Sequence, residues 1–410
     1  MEKLRFLVLF SVFLALGGLE AHAQSFTFAY HFREGNQYRI LSTVNHDIFV
    51  NRQWSFRSEI VNRIAVEVTY VNEDGARLQA TFQSAERTVP VGVGGRMEAT
   101  EGRLFEWARD YQTEFAQDRF GRMTVAPYLF KPMVRNVPVF PDRQLQVGDF
   151  WSAPGVIVYD FRDSLGIEEP FKLPLHALYT YLGKREWRGR MFHAFSVSYR
   201  VSVNPAPVSG RVFPRRMQVS SDKTVFWDMD MGQVAAYEEH FRIIIELSNG
   251  DVWEYRGRAE AEVIEAVPMD REELLAEIIA GIQNIPDATA RIVDEGIVIS
   301  LEDIQFAPDS AVLLPGEINK LSAIAEILNR HPDRDILVTG HTALAGTPAG
   351  RLQLSLDRAG VVADYFLRRG VRTNDRVVIR GYGADRPIAD NATEEGMRRN
   401  RRVEIIILEN

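Results

Sequence analysis

Two arginines in the C-terminal third of the chain could bind an anion together. Arg351 and Arg358 are seven residues apart, about two turns of an α-helix, so a helix would place both on nearly the same face. A guanidinium group is a planar fork of N–H donors that matches a carboxylate. The spacing is therefore compatible with a shared anion site. The alternative is that Arg351 points to solvent and contributes nothing.

The other candidate motifs for chemistry are incomplete. Glu238-Glu239-His240 lies in an alternating stretch, where neighbouring side chains of a strand point to opposite faces. The glycine-rich run at 91–95 lacks the Lys-Ser/Thr and the helical pattern of a phosphate loop. The remaining histidines after residue 23 are scattered: His31, His46, His176, His193, His331 and His341. We therefore expect no metal, no cofactor and no enzymatic activity, and we predict non-covalent recognition instead.

The composition is that of a globular protein without covalent cross-links. The 410 residues are 46% hydrophobic and 25% charged, which provides enough apolar material for two or three domains. Because there is no cysteine, disulfides, thiolate metal sites and a lipid-modified cysteine are excluded. The net charge of −8 gives no reason to expect a nucleic-acid partner. The basic run at 398–402 is too short to change that expectation.

The N-terminus has the parts of a secretory signal peptide over residues 1–23. A charged start precedes an apolar run at 6–16, and Ala21-His22-Ala23 is a small-x-small cleavage site. The apolar run is shorter than the roughly 20 residues that span a bilayer as a helix. We therefore expect an exported protein in the periplasm, associated with the outer membrane peripherally or through its N-terminal region.

Residues 24–265 have the two-residue period of β-strands. Apolar residues alternate with charged ones over 60–70, and the pattern resumes after a glycine-containing turn at 72–75. A second hairpin, at 241–255, turns at Asn249-Gly250, a pair that suits a type I′ turn. These patterns predict an antiparallel β-rich region, either a sandwich or a partial barrel.

The middle of this region is less regular. Residues 105–120 are aromatic and charged without a clean period, and prolines follow them. A boundary between two subdomains could fall near 136–146, or the region could be undivided. An outer-membrane barrel with a periplasmic tail is a further alternative, which the prolines and the polar strand faces disfavour.

The period changes to that of helices at Pro268. Within a connector at 266–287, Asp270 can cap a helix that has acidic residues in its first turn. Beyond the connector, strands and helices alternate, which predicts a compact α/β domain. The predicted elements are a hairpin at 290–301, a helix from Pro315 to His331, a strand at 336–338, a helix at 352–367, a strand at 377–379 and a strand at 403–408.

The last third also carries a series of short motifs in a fixed order. They are Ile304-Gln305-Phe306, Asp309-Ser310-Ala311, Gly340-His341-Thr342, Leu354-Ser355 with Arg358-Ala359, Gly381-Tyr382-Gly383 and Asn400-Arg401-Arg402-Val403. With these motifs, residues 288–410 resemble the OmpA-like domain of bacterial envelope proteins. The resemblance implies a βαβαβ two-layer α/β fold and a role in tethering the envelope to peptidoglycan.

The resemblance also implies a ligand pocket. In the family, an aspartate and an arginine hold the ammonium and the carboxylate of a diamino acid in the peptidoglycan stem. The positions carried over to this chain are Ala307, Thr342, Ala343, Arg351, Leu354, Arg358 and Arg401. Arg358 matches the arginine of the family. Ala307 and Ala343 replace acidic residues of the family, and Arg351 replaces an asparagine. The pocket has lost negative charge and gained positive charge, so it should favour a plain carboxylate or another anion.

The sequence as a whole predicts a multidomain envelope protein that binds without catalysis. Peptidoglycan binding through the C-terminal domain is expected to be weakened, altered or lost, and other envelope proteins are expected partners. The alternative is a divergent scaffold that binds another anion or a protein.

Overall fold

The fold is described from a computed structural model of the chain. The structure describes residues 24–90, 104–208, 211–265, 269–302, 304–307 and 310–409. The predicted signal peptide, the glycine-rich run at 91–95, the start of the connector at 266–268 and Asp309 lie outside the described residues. No helix within the described ranges is long and apolar enough to cross a membrane.

The N-terminal region is built from strands, of which twelve fall within the described residues. They are β1 (Gln37–Val50), β2 (Gln53–Val71), β3 (Gly75–Pro90), β4 (Phe105–Asp118), β5 (Met123–Val125), β6 (Val134–Arg135), β7 (Phe150–Phe161), β8 (Ile167–Trp187), β9 (Arg190–Val203), β10 (Pro214–Asp228), β11 (Gln233–Leu247) and β12 (Val252–Glu265). A short helix, α1 (Arg162–Leu165), separates β7 from β8.

These strands form one antiparallel series. The order of hydrogen-bonded neighbours is β5-β4-β3-β2-β1-β12-β11-β10-β9-β8-β7-β6. The predicted antiparallel sheet is confirmed, as are its two hairpins, β2–β3 and β11–β12. The pairing of β1 with β12 joins the two ends of the region across more than 200 residues, and the local patterns did not predict it.

One strand of the N-terminal region was not predicted, and one turn was predicted wrongly. Residues 105–118 form the regular strand β4, whose period is hidden by a register shift opposite Gln83 and Ala85. The aromatic residues of β4 therefore enter two different apolar clusters, Trp107 in one and Phe115 in the other. The turn at Asn249-Gly250 is not of type I′, because only Gly250 has a positive φ, +96°, whereas that turn needs two.

The C-terminal region combines helices and strands. Its elements are α2 (Arg271–Ile282), β13 (Ala288–Val293), β14 (Gly296–Glu302), α3 (Glu317–Arg330), β15 (Ile336–Gly340), α4 (Pro348–Arg368), a 3₁₀ turn (Asn374–Arg376), β16 (Val377–Gly381), α5 (Glu394–Asn400) and β17 (Arg402–Leu408). The strand order is β13-β14-β17-β15-β16, antiparallel except for β15–β16. Each predicted element is present, and Asp270 caps α2 as expected by accepting a hydrogen bond from Glu273 N at 3.0 Å.

Helix α5 was not predicted from the sequence. It has only seven residues, too few to show a helical period, and it begins at Thr393, whose side chain accepts from Gly396 N at 3.0 Å. The longer helices α2, α3 and α4 share one apolar core with the strands of this region, which includes Ile278, Leu321 and Phe366.

The two regions are joined by a strand pairing and a buried ion pair. Strand β4 runs parallel to β16, with Phe105 opposite Val378. An apolar cluster on this side contains Trp107 from β4 and Leu337 and Ile406 from the C-terminal strands. Arg63 Nε of β2 lies 2.6 Å from Asp335 Oδ2, and both side chains are buried. The N-terminal sheet and the C-terminal domain therefore share a packed interface.

Candidate ligand pocket of the C-terminal domain

Close contact between β15 and α4 positions the pocket residues. A Cβ added to Gly340, the last residue of β15, would lie 1.9 Å from Ser355 O in α4. A Cβ on Gly381, at the end of β16, would lie 2.7 Å from Ser355 Oγ. Glycine is thus required at both strand ends. The segment after Gly340 is consequently held beside the first turns of α4.

Thr342 and Ala343 lie in this segment and are buried, with 7% and 6% of their surface exposed. The backbone N–H of Thr342 donates to Gly383 O at 2.8 Å. The Thr342 Oγ1 atom is buried and has no hydrogen-bond partner among the described residues. Ala343 places a methyl group where the family resemblance implies a carboxylate, so this wall of the pocket carries no negative charge.

Arg351 lies in the first turn of α4, on the other side of Gly383. A Cβ on Gly383 would be 3.4 Å from Arg351 Cβ, so Gly383 contacts both Thr342 and Arg351. Arg351 Nη1 donates to Gly346 O at 2.6 Å, and its Nε is buried without a hydrogen-bond partner within the described ranges. The structure therefore brings Thr342 and Arg351 together around one glycine.

Arg358 lies two turns further along α4 and contacts a different segment. Its Nε donates to Ser310 O at 3.3 Å, and its guanidinium carbon lies 4.9 Å from the centre of the Phe306 ring. The predicted shared helix is present, but the two arginines contact backbone carbonyls of two separate loops. The two guanidinium groups therefore contact different loops, two turns apart on α4, and a shared anion site stays a prediction.

The remaining carried-over positions lie on three different segments. Ala307 belongs to the same loop as Ser310, and its N–H donates to Val312 O at 2.8 Å. Leu354 lies between the arginines on α4 and is half-buried. Arg401 follows α5, where its N–H donates to Met397 O at 3.2 Å.

A buried polar network beneath the pocket was not predicted. His341 Nε2 lies 3.3 Å from Glu404 Oε2, and Arg402 Nε lies 2.9 Å from Glu404 Oε1. Burial lowers the pKa of His341, which favours the neutral ring. Burial also opposes the charge on Glu404, but the hydrogen bond from His341 and the charge of Arg402 outweigh it and lower the pKa of Glu404 to about 2. Arg402 is therefore buried against a carboxylate.

Two asparagines, Asn391 and Asn400, have a structural role next to the pocket. Asn400 Nδ2 donates to Asn391 Oδ1 at 3.0 Å, and Leu344 N donates to that same oxygen at 3.1 Å. These bonds fix the segment that contains Ala343. Their types and order were visible in the sequence, but the contact with Leu344 was not.

Comparison with known proteins identifies the family of the C-terminal domain. The model of the OmpA family matches residues 305–401, so this part of the chain is an OmpA domain, and no family model matches the N-terminal region. The chain is similar to the peptidoglycan-binding protein ArfA of Mycobacterium tuberculosis, at 40% identity over 104 residues, which cover 25% of this chain and 32% of ArfA. It is also similar to outer membrane porin F of Pseudomonas aeruginosa, at 36% identity over 102 residues, 25% of this chain and 29% of the porin.

A solved structure is also similar to part of the chain. The cell wall anchor of the T6SS from Pseudomonas aeruginosa is 30% identical, with a TM-score of 0.30, and the match covers 33% of this chain and 96% of that one. This chain spans 32% of the length of ArfA and 29% of the length of porin F. The similarity to these relatives therefore concerns one domain.

Proposed function

We propose that this protein is an exported component of the bacterial envelope that contacts the cell wall non-covalently through its C-terminal domain. The proposal divides the chain into a signal peptide (1–23), a β-rich region (24–265), a helical connector (266–287) and a two-layer OmpA-like domain (288–410). Its place would be the periplasm, next to the outer membrane. The name of ArfA, a peptidoglycan-binding protein, supports contact with the wall.

The charge of the pocket carries the proposal about its ligand. Arg351 and Arg358 lie on α4 at the two ends of the pocket, while Ala307 and Ala343 occupy the positions of acids. A ligand ammonium group in this pocket would lose its water without gaining a carboxylate, which costs about 1–3 kcal/mol. A ligand that presents a carboxylate alone pays no such penalty and is bound by guanidinium donors. The pocket therefore prefers an anionic group to a zwitterionic stem residue.

Co-sedimentation with insoluble peptidoglycan sacculi tests this function, using the chain from residue 24 onward. Weak binding is expected, and Arg358→Gln should reduce it because the cationic end of the pocket is lost. Arg368→Gln is the matched control, since it removes the same charge from the same helix at a side chain that is 62% exposed. Equal binding by the wild type, Arg358→Gln and Arg368→Gln would refute the pocket as the wall contact.

The reverse substitution tests the reason for weak binding. Ala343→Asp restores a carboxylate next to Thr342 and should increase sacculus binding, because a stem ammonium group then gains a partner. If Ala343→Asp does not change binding, the missing acid is not the cause. The remaining outcome is that neither the wild type nor any variant binds sacculi, while the wild type binds acetate or sulfate in a titration. If replacing both Arg351 and Arg358 by Gln abolishes this anion binding, the protein is the anion-binding scaffold considered above.

A further inference from the structure

A cleft of about 460 Å³ lies between the N-terminal sheet and the C-terminal domain. This volume falls within the range of small-ligand sites, which often occur between domains. Its floor is apolar and includes Leu41 of β1, Val61 of β2 and Ile264 of β12. The tip of the β8–β9 hairpin contributes Trp187 to the lining, and the loop at 333–335 contributes charged side chains.

The arginines at the base of the cleft are held by the protein itself. Arg63 Nε and Arg376 Nε lie 2.6 and 2.7 Å from the two oxygens of Asp335, and Arg63 Nη2 donates to Asp375 O at 2.8 Å. Asp333 is 69% exposed and lies 3.3 Å from Arg334 Nε. The lining as a whole has five carboxylates and four arginines, so the mouth of the cleft carries a small excess of negative charge above its apolar floor.

One cation of the chain already occupies this mouth. Arg188 Nη1 lies 2.8 Å from Glu262 Oε2, and its Nη2 lies 3.7 Å from Glu260 Oε1. Its guanidinium carbon is 4.6 Å from the centre of the Trp187 ring. Two carboxylates and an aromatic face are a general recognition pattern for a guanidinium group. The Arg188 side chain is 53% exposed, so solvent can replace it at low cost.

We propose that this cleft binds a guanidinium group carried on an apolar stem, and that Arg188 competes with this ligand for Glu260 and Glu262. The stem lies on the apolar floor, and the head group lies between the two carboxylates and the Trp187 ring. The ligand is either the side chain of an arginine in a partner protein or a small free guanidine. Both share the same recognition chemistry, and neither depends on the wall contact proposed above.

Calorimetric titration of the chain from residue 24 onward distinguishes these sources. The small probe is n-butylguanidinium, with neutral n-butylurea of nearly the same shape as its control. The peptide probe is an acetylated Leu-Arg-Leu amide, and its control replaces arginine by citrulline, which is also neutral. Binding of the small probe alone indicates a free guanidine. Binding of the peptide alone, or of both with the peptide tighter, indicates an arginine of a partner.

Two variants test the role of the named side chains. Arg188→Ala removes the competitor and should tighten guanidinium binding about threefold or more. The double variant Glu260→Gln, Glu262→Gln should weaken it about tenfold. The exposed pair Arg200 and Asp222, 3.0 Å apart in β9 and β10, provides the controls Arg200→Ala and Asp222→Asn, which should leave binding unchanged.

The proposal is overturned if the neutral probes bind as tightly as the charged ones. It is equally overturned if Arg188→Ala binds neither guanidinium probe. Thermal denaturation of each variant shows whether it is folded, and Trp187 is left intact because its ring packs on Phe226, 6.0 Å away between ring centres. Each substitution therefore changes a half-exposed charge without removing an apolar core residue.

Discussion

At the scale of single residues, buried charge gives the C-terminal domain a specific dependence on pH. Glu404 is 7% exposed and is bonded to both His341 and Arg402. Its pKa falls from an ordinary value of 4.5 to about 2 in the folded protein. A carboxyl group whose pKa is lowered on folding stabilises the folded state above its unfolded pKa. This stabilisation is lost as the pH falls from 4.5 toward 2.

Glu404→Gln should therefore lower the free energy of unfolding by about 3 kcal/mol near neutral pH. The difference from the wild type should shrink as the pH falls below 4.5, since the wild-type carboxylate is then protonated as well. Urea denaturation at a series of pH values measures this difference. Glu395→Gln, at a side chain that is 70% exposed, is the control. A difference for Glu404→Gln that stays constant down to pH 2 would contradict this role.

At the scale of elements, the pocket depends on how closely a strand end approaches a helix. Helix α4 begins with Thr347, whose side chain accepts from Gly350 N at 3.2 Å, and with Pro348 at its first position. This cap fixes where the helix starts. The absence of a side chain at Gly340 then lets the backbone of β15 lie against Ser355. The pocket is formed by this contact and not by either element alone.

Gly340→Ala should force β15 and α4 apart, because its Cβ would lie 1.9 Å from Ser355 O. We expect a loss of about 3 kcal/mol in the free energy of unfolding, together with loss of any sacculus or anion binding. Gly316→Ala is the control, since no atom lies within 4 Å of its added Cβ. If both variants are as stable as the wild type in thermal denaturation, the close approach is not required.

At the scale of the whole molecule, the N-terminal sheet and the OmpA domain are expected to unfold together. The parallel pairing of β4 with β16 and the apolar cluster around Trp107 and Leu337 bury surface from both regions. The ion pair of Arg63 and Asp335 lies at the edge of this interface. Removing one partner of a buried ion pair leaves the other charge with fewer bonds, which destabilises the arrangement.

Arg63→Ala should weaken the interface by about 2 kcal/mol. This cost is smaller than that of breaking an isolated buried ion pair, because Arg376 still binds Asp335. The single unfolding transition expected for the wild type should then separate into two. Tryptophan fluorescence and circular dichroism, followed in the same denaturant titration, measure this separation. Arg200→Ala, which removes an exposed charge from the N-terminal sheet, should keep one transition. A single transition in Arg63→Ala would mean that the apolar contacts suffice.

The sequence by itself determined the OmpA domain and most of its elements. Helical spacing, the cap at Asp270 and the ordered motifs are local signals, since each depends on residues that are close in the chain. The alternation in β2 and β3 was readable for the same reason. The substitutions at Ala343 and Arg351 were also visible, because each replaces a residue at a fixed place in a motif.

Only the tertiary structure decided how distant segments meet. Arg63 and Asp335 are 272 residues apart, and β1 pairs with β12 although each alternates like any other strand. The two-residue period of strand β4 was not visible in the sequence, because its aromatic residues pack into two different apolar clusters on either side of a register shift. The contacts of Arg351 and Arg358 with separate loops, and the cleft beside Trp187, depend on surfaces contributed by remote parts of the chain. A periodic pattern shows which face of an element is buried, but the partner of that face is chosen by packing of the whole molecule.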